Sequence, residues 1–427
     1  MVKKNFLIFG LNHIGDVLML TPAIRALKLK FPESNIFVLV SETAAPILYR
    51  NPDVYKVIER KKHKGMPNIF YLYKLYKELK KYNFYACINF LTSFEFAMLS
   101  FFISKKRIGI SSFKTFLFYN YKIANDKKNH NIHNIDRALK LIDIFSIKEK
   151  YNSRKLIYIP TEEDIKTAIN LLKASNINVN INNNHNVEDD NAVNNNNADN
   201  NAINSDAVNN NSANNIANNN EANIAVNNNA ANNNSANNAI NNIPANNNET
   251  NNDKYIFDKT KIVLFSPGST RNTKEANPEL FALFADYLNK LGFYVIIAGS
   301  KKDIPLANKI YRLTNDKKLT VNITGITDIY MLGGLIKISR LVISVDNGVM
   351  HLASAVNTPL IALFGSTDPA VCGPVNDNSY TIDKKTDCYH CFLNTCDKES
   401  FLKNDYPDCM GNIELYDLTD AMKELKI

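Results

Sequence analysis

The chain has no tryptophan and no apolar run long enough to cross a bilayer. Its longest apolar run, Phe94 to Ile103, contains Glu95 and falls short of the roughly 20 residues a spanning helix needs. No leader is visible, because Met1-Val2-Lys3-Lys4 runs straight into a short strand-like segment. A soluble, cytoplasmic protein is expected. Two nucleotide signatures are also missing. The dinucleotide fingerprint Gly-x-Gly-x-x-Gly does not occur, so Glu42, near the place of a ribose-binding acid, has no partner motif. Gly10 and Gly15 copy the spacing of a phosphate-binding P-loop. Yet Asp16 stands where the lysine belongs, and Val17 replaces the hydroxyl. A carboxylate there would repel a triphosphate, which excludes a P-loop NTPase.

What is present is a basic, 427-residue chain with a formal charge of +8. That length allows two domains, and the charge suits anionic partners such as nucleotide phosphates or phosphorylated lipid. Apolar strand-like runs at Asn5 to Leu11, Asn35 to Ser41, Asp53 to Glu59, Tyr85 to Leu91 and Lys106 to Ile110 alternate with helical patterns at 69–82, 133–144 and 161–174. A second series follows, with strands at Lys261 to Ser266, Tyr294 to Gly299, Val321 to Thr324, Leu341 to Val345 and Leu360 to Phe364. Such alternation predicts an α/β fold with parallel sheets covered on both faces. Between the series lies an Asn-rich tract without a periodic core pattern. It has too little apolar surface to offset its ordering entropy, and is expected to be a disordered insert. The predicted division is an N-terminal Rossmann-like domain (1–174), the low-complexity insert (175–253) and a C-terminal Rossmann-like domain (254–427).

Three stretches carry candidate chemistry. Leu341 to Val345 runs into the turn Asp346-Asn347-Gly348, and a helix begins at about Val349. A helix N-terminus behind a glycine turn suits a phosphate or pyrophosphate, although Asp346 or Asn347 can equally serve as a plain helix cap. The next strand ends in a second polar loop, Gly365 to Pro369. Ser266 to Lys274, including Ser269 and Thr270, offers hydroxyls and a cation after the first strand of the second half. Asp16 follows the first strand of the chain. A carboxylate there can deprotonate a hydroxyl, or merely cap its helix.

In order along the chain, Gly15-Asp16-Val17, Thr21-Pro22-Ala23-Ile24, Pro267-Gly268-Ser269 with Lys274 and Pro278-Glu279, Asp346-Asn347-Gly348 with His351-Leu352-Ala353, and Phe364 to Pro369 resemble glycosyltransferase family nine. This family contains the ADP-heptose:lipopolysaccharide heptosyltransferases. The resemblance covers both halves and omits the insert. It implies a GT-B fold, two Rossmann-like domains facing a cleft, and an inverting, metal-independent transfer without a cofactor. Asp16 would be the general base. Ser269, Thr270, Lys274, Asp346, Asn347, Gly348 and His351 would bind the nucleotide-sugar donor, ADP-heptose. A glycolipid at a membrane surface would be the acceptor, and nucleic acid is not an expected partner. One departure is Asn277, where the family usually has an aromatic residue before the proline. Alternative readings are another nucleotide sugar as donor, a catalytically silent nucleotide-sugar-binding or assembly protein, or a dinucleotide oxidoreductase.

Cys388, Cys391, Cys396 and Cys409, with His390, have a ligand-like spacing. A structural zinc or iron–sulfur site is one reading of this spacing; reduced, partly buried thiols are the expectation, with no metal in the catalytic site. Cys87 and Cys372 read as small core or loop residues.

Overall fold

The computed structural model describes residues 3–60, 68–124, 131–147, 153–175, 178–179, 256–257, 261–388, 390–396, 398 and 406–427. Apart from Ser175 and Asn178–Val179, the Asn-rich segment expected to be disordered lies outside the described residues. The first half runs β1 (Asn5–Phe9), α1 (Ile14–Leu18), α2 (Thr21–Lys30), β2 (Asn35–Ser41), β3 (Lys56–Arg60), α3 (Asn68–Lys80), β4 (Ala86–Asn89), α4 (Phe94–Ile103), β5 (Lys106–Ser111), β6 (Tyr121–Ala124), α5 (Asn134–Ile142) and α6 (Glu162–Ala174). A two-residue pair, β7 (Asn178–Val179) with β8 (Ile256–Phe257), precedes the second half. There the order is β9 (Ile262–Ser266), α7 (Pro278–Lys290), β10 (Tyr294–Ile297), α8 (Ile304–Leu313), β11 (Thr320–Asn322), α9 (Ile329–Ile338), β12 (Leu341–Val345), α10 (Gly348–Val356), β13 (Leu360–Phe364), β14 (Ser379–Asp383) and α11 (Leu415–Glu424).

Each half holds a six-stranded sheet, in the orders β3-β2-β1-β4-β5-β6 and β11-β10-β9-β12-β13-β14. Every neighbouring pair within them is parallel. Counted from the first strand of each half, both are the doubly wound order 3-2-1-4-5-6. The expected α/β fold is therefore present, with two Rossmann-like sheets. Strand order reverses between β1 and β4, and again between β9 and β12. In open parallel sheets ligands bind beyond the carboxyl ends of such strands.

Alternation along each strand sorts the core into layers. In β1, Phe6 and Ile8 join one apolar cluster while Leu7 and Phe9 join another. The first of these clusters continues into the second half through Ile262, Leu264, Leu335 and Met350, so the inner faces of the two sheets share a core. The outer faces keep separate cores. Helix α6 follows the first sheet in sequence, yet it packs against α9 of the second half. Around it Tyr158 donates to the Ile329 carbonyl at 3.0 Å, Arg50 pairs with Asp164, and the Arg50 guanidinium lies 4.3 Å from the centre of the Tyr330 ring.

Candidate active site

Asp16 is the third residue of the short helix α1, the first helix after β1. It borders a cleft lined by Leu11, Met19, Phe90, Ile110 and Arg137. Burial against these apolar neighbours is the main influence on its carboxyl and raises its pKa above the ordinary 3.8. His13, Lys274 and Arg137 oppose the rise, and Asp346 adds to it. Lys274 and Asp346 belong to the other half, so the two halves bring their candidate residues into one electrostatic neighbourhood. A carboxylate whose pKa is raised is a stronger base than a fully solvated one.

Arg137 was not singled out by its sequence. It projects from α5 across the cleft, donates to Asn134 at 2.8 Å, and has its pKa lowered by burial while Asp16 counteracts this. His133, one helical turn earlier, caps α5 by accepting from the Ile135 N–H at 3.2 Å. Its Nε2 lies 3.1 Å from the Gly373 carbonyl of the second half. A carbonyl only accepts, so the neutral ring carries its proton on Nε2. The i, i+4 spacing of His133 and Arg137 on one helix face was the available signal.

In the second half, three loops converge on Asp346. The Lys274 ammonium lies 3.1 Å from Asp346 Oδ2, with both side chains largely buried. Thr367, from the loop after β13, donates to the same oxygen at 2.6 Å, and Ser269 donates to the Asp346 carbonyl at 3.3 Å. Asp346 therefore fixes the cation rather than standing free. A pair this buried holds because further hydrogen bonds satisfy the carboxylate.

Asn347 is the N-cap of α10. Its Oδ1 accepts from the N–H groups of Val349 (2.8 Å) and Met350 (3.1 Å), while Nδ2 donates to Ser266 Oγ (3.0 Å) and the Gly268 carbonyl (2.8 Å). The plain capping role weighed for this turn is thus realised by Asn347, and two of the first-turn N–H groups are already used. Gly348 also lies close to the first half. A Cβ there would lie 3.2 Å from Ile14 of the first half. Gly15 mirrors it, because a Cβ on Gly15 would collide with the His351 ring. Helices α1 and α10 therefore meet backbone to side chain. His351 is buried there, which lowers its pKa to about 4, and its Nδ1 has no hydrogen-bond partner in the structure. Thr270 is exposed and only its carbonyl is engaged, by Lys302 at 3.2 Å.

Asn277 caps α7, accepting from Glu279 N–H at 2.9 Å and Leu280 N–H at 3.3 Å, which accounts for a polar residue before Pro278. Near the C-terminus, burial pushes the Cys409 thiol up to about 12, and Cys388, Cys391 and Cys396 add to the shift. Among the described residues no group of three or more His, Cys, Asp or Glu is arranged to hold a metal ion. His390 is engaged by carboxylates, 3.0 Å from Asp383 and 3.5 Å from Asp368.

Two parallel Rossmann-like sheets with their switch points turned to one cleft are the GT-B arrangement. A family 9 glycosyl transferase from Veillonella parvula DSM 2008 superposes with a TM-score of 0.70 at 18% identity, covering 100% of this chain and 98% of that one. The E. coli ADP-heptose LPS heptosyltransferase II superposes with a TM-score of 0.66 at 17% identity, covering 99% and 98%. Residues 214–402 match the model of glycosyltransferase family 9 (heptosyltransferase), so the family resemblance carried by the motifs is borne out. Residues 214–255 of that match lie outside the described residues. Lipooligosaccharide heptosyltransferase 2 of Haemophilus influenzae is 34% identical over 124 residues, 28% of this chain and 36% of that protein. The chain thus matches about a third of the length of this curated relative.

Proposed function

We propose that the protein is a GT-B glycosyltransferase that moves heptose from ADP-heptose to a hydroxyl of a lipopolysaccharide core or related glycolipid, with inversion and without a metal. The observation that carries this reading is the packing of α1, which holds Asp16, against α10, whose N-terminus follows the Lys274–Asp346 pair. The names of the relatives supply the donor and acceptor classes. The first half (1–174) would hold the acceptor and the second (254–427) the donor, with 175–253 as an insert between them.

Asp16 would take the acceptor proton as its oxygen attacks the anomeric carbon from the face opposite the leaving group. Lys274 would stabilise the departing ADP, and Ser269 would help hold its loop. Such fixed charges act strongly in a site sheltered from water. Asp346 would act as a positioning residue that aims the Lys274 ammonium, and an arriving diphosphate would share that cation. Asn347, Gly348 and His351 would shape the donor side by stitching the two loops and seating α10 against α1.

Titrating the purified chain with ADP-heptose, other nucleotide sugars and NAD tests the reading. Tightest binding to ADP-heptose, followed by release of ADP when a core acceptor is added, is expected. Preference for NAD, or binding without turnover on any acceptor, would overturn it.

A further inference from the structure

Residues 68–124 carry nine Lys or Arg against two Glu, a net +7 of the chain's +8. The same segment exposes an unusual amount of apolar surface. Ile69, Phe70 and Tyr73 point outward from α3. Helix α4 buries Phe96 and Leu99 and turns Phe101 and Phe102 to solvent. In the loop after β5, Phe113 is 93% and Leu117 75% exposed. Outside this segment, Phe392 is the one strongly exposed Phe among the described residues.

Phe113 packs on Phe116 with ring centres 6.4 Å apart, and a second run of rings links α3 to α4 and the loop after β5. Ring centres connect Tyr76 to Phe102 (6.3 Å), Phe102 to Phe101 (5.5 Å), Phe101 to Phe118 (6.1 Å) and Phe118 to Phe94 (5.3 Å). Cations sit among them. Arg107 lies 4.9 Å from the Phe101 ring, Lys122 5.6 Å from Phe116, Lys77 4.7 Å from Tyr73 and Lys80 5.0 Å from Tyr76. A contiguous apolar patch rimmed by charge marks an interaction site.

Its position names the partner. Phe90 and Ile110 line the cleft beside Asp16, and the chain leaves that cleft from each of them directly into the patch, at Phe94 and Phe113. We propose that this surface of the first half docks on an anionic lipid membrane, with the Phe113–Leu117 loop entering the headgroup region and the lysines facing lipid phosphates. Aromatic and aliphatic tips with a cationic rim are what an interfacial site requires, and apolar burial and charge attraction add. The inference deepens the proposed glycolipid acceptor and rests on that reading. A lipid-anchored acceptor would then present its hydroxyl at Asp16 without leaving the bilayer.

Co-sedimentation of the full chain with phosphatidylcholine vesicles, with and without phosphatidylglycerol, tests the surface. Binding is expected to the anionic vesicles, to fall with salt, and to be weak to phosphatidylcholine alone. The double variant Phe113→Ser, Leu117→Ser removes two side chains that contribute little to the core, and its partitioning should fall about tenfold or more. Its turnover on a lipid-free acceptor oligosaccharide should match the unchanged chain, while turnover on vesicle-borne acceptor falls. Wild-type protein left in the supernatant, or a double variant that sediments like wild type, would overturn the inference. A double variant that changes only the molar mass by light scattering would assign the patch to self-association and also overturn it. Vesicle binding without sugar transfer on any acceptor would uphold the surface while removing the transferase reading. Transfer to free oligosaccharide without vesicle binding would do the reverse.

Discussion

The two halves share a strand order and differ in almost everything placed upon it. In the second half, polar groups at the switch point are turned inward and tied to one another, as in the Lys274–Asp346–Thr367 cluster and the Asn347 cap. In the first half, the switch point holds one carboxylate beside apolar walls, and its flank displays phenylalanine to solvent. Rigid, satisfied dipoles suit a small charged ligand whose shape does not vary. An open apolar flank suits a large amphiphile. One topology thus supports two kinds of recognition, because the sheet fixes only where the loops emerge.

The contrast breaks most sharply at Asp16. Asp16→Asn should leave ADP binding intact and lower turnover by about two to four orders of magnitude, the usual range for a lost general base. Steady-state kinetics beside calorimetry with ADP would separate the two. Turnover near wild type would remove Asp16 from the chemistry and leave it as a helix residue.

His351 probes the seam between the halves. Its folded pKa is about 4 against an ordinary 6.5, so between these values the unfolded chain binds more protons than the folded one. Stability should therefore fall as pH drops from about 6.5 to about 4, by on the order of 3 kcal/mol. Thermal melts of wild type and His351→Gln across this window would check it. A variant with the same slope as wild type would show that other groups carry the acid sensitivity.

Lys274 sharpens the comparison because it acts on both sides. Lys274→Ala should weaken ADP binding by about 1–3 kcal/mol, the range for one charge-assisted contact. The loss should shrink as salt screens the site. Lys274 also lowers the pKa of Asp16. Its removal should raise that pKa, so the acid limb of the pH–rate profile, where activity fades as Asp16 is protonated, should move to higher pH. Asp346→Asn should move the limb the other way. Limbs that stay in place would mean that the two halves do not act on one site.

Much of this was legible in sequence, for identifiable reasons. Central strands such as β9, β12 and β13 are buried at every position, so their apolar runs stood out. Edge strand β6 is exposed at three of its four positions and edge strand β14 is fully buried at only one of five, and no apolar run announced them. Helix α4 read only as an apolar stretch, because its outward face is as apolar as its inward one. The motif residues Asp16, Lys274 and Asp346 were visible singly. Their meeting was not, since Lys274 and Asp346 are 72 residues apart and Arg137 reaches the cleft only after α5 folds over β5. The close approach of Gly348 to Ile14 of the first half was not visible either. Pairwise geometry of that kind leaves no trace in spacing.

The smallest expected effect concerns the Asn-rich segment. Deleting 182–247 should leave the thermal midpoint and ADP affinity nearly unchanged, because that composition has no core to lose. A large drop in either would show that the segment packs on a domain.

The short pair β7–β8 gives this tolerance a mechanical form. Asn178 lies beside Ile256 and Val179 beside Phe257, so the chain departs and re-enters at one gate. Whatever is strung between those posts meets the folded body at a fixed separation. The cost of closing such a loop grows only logarithmically, by about 0.6 kcal/mol for each doubling of length. The segment between them can therefore lengthen or shorten by tens of residues at little cost to folding.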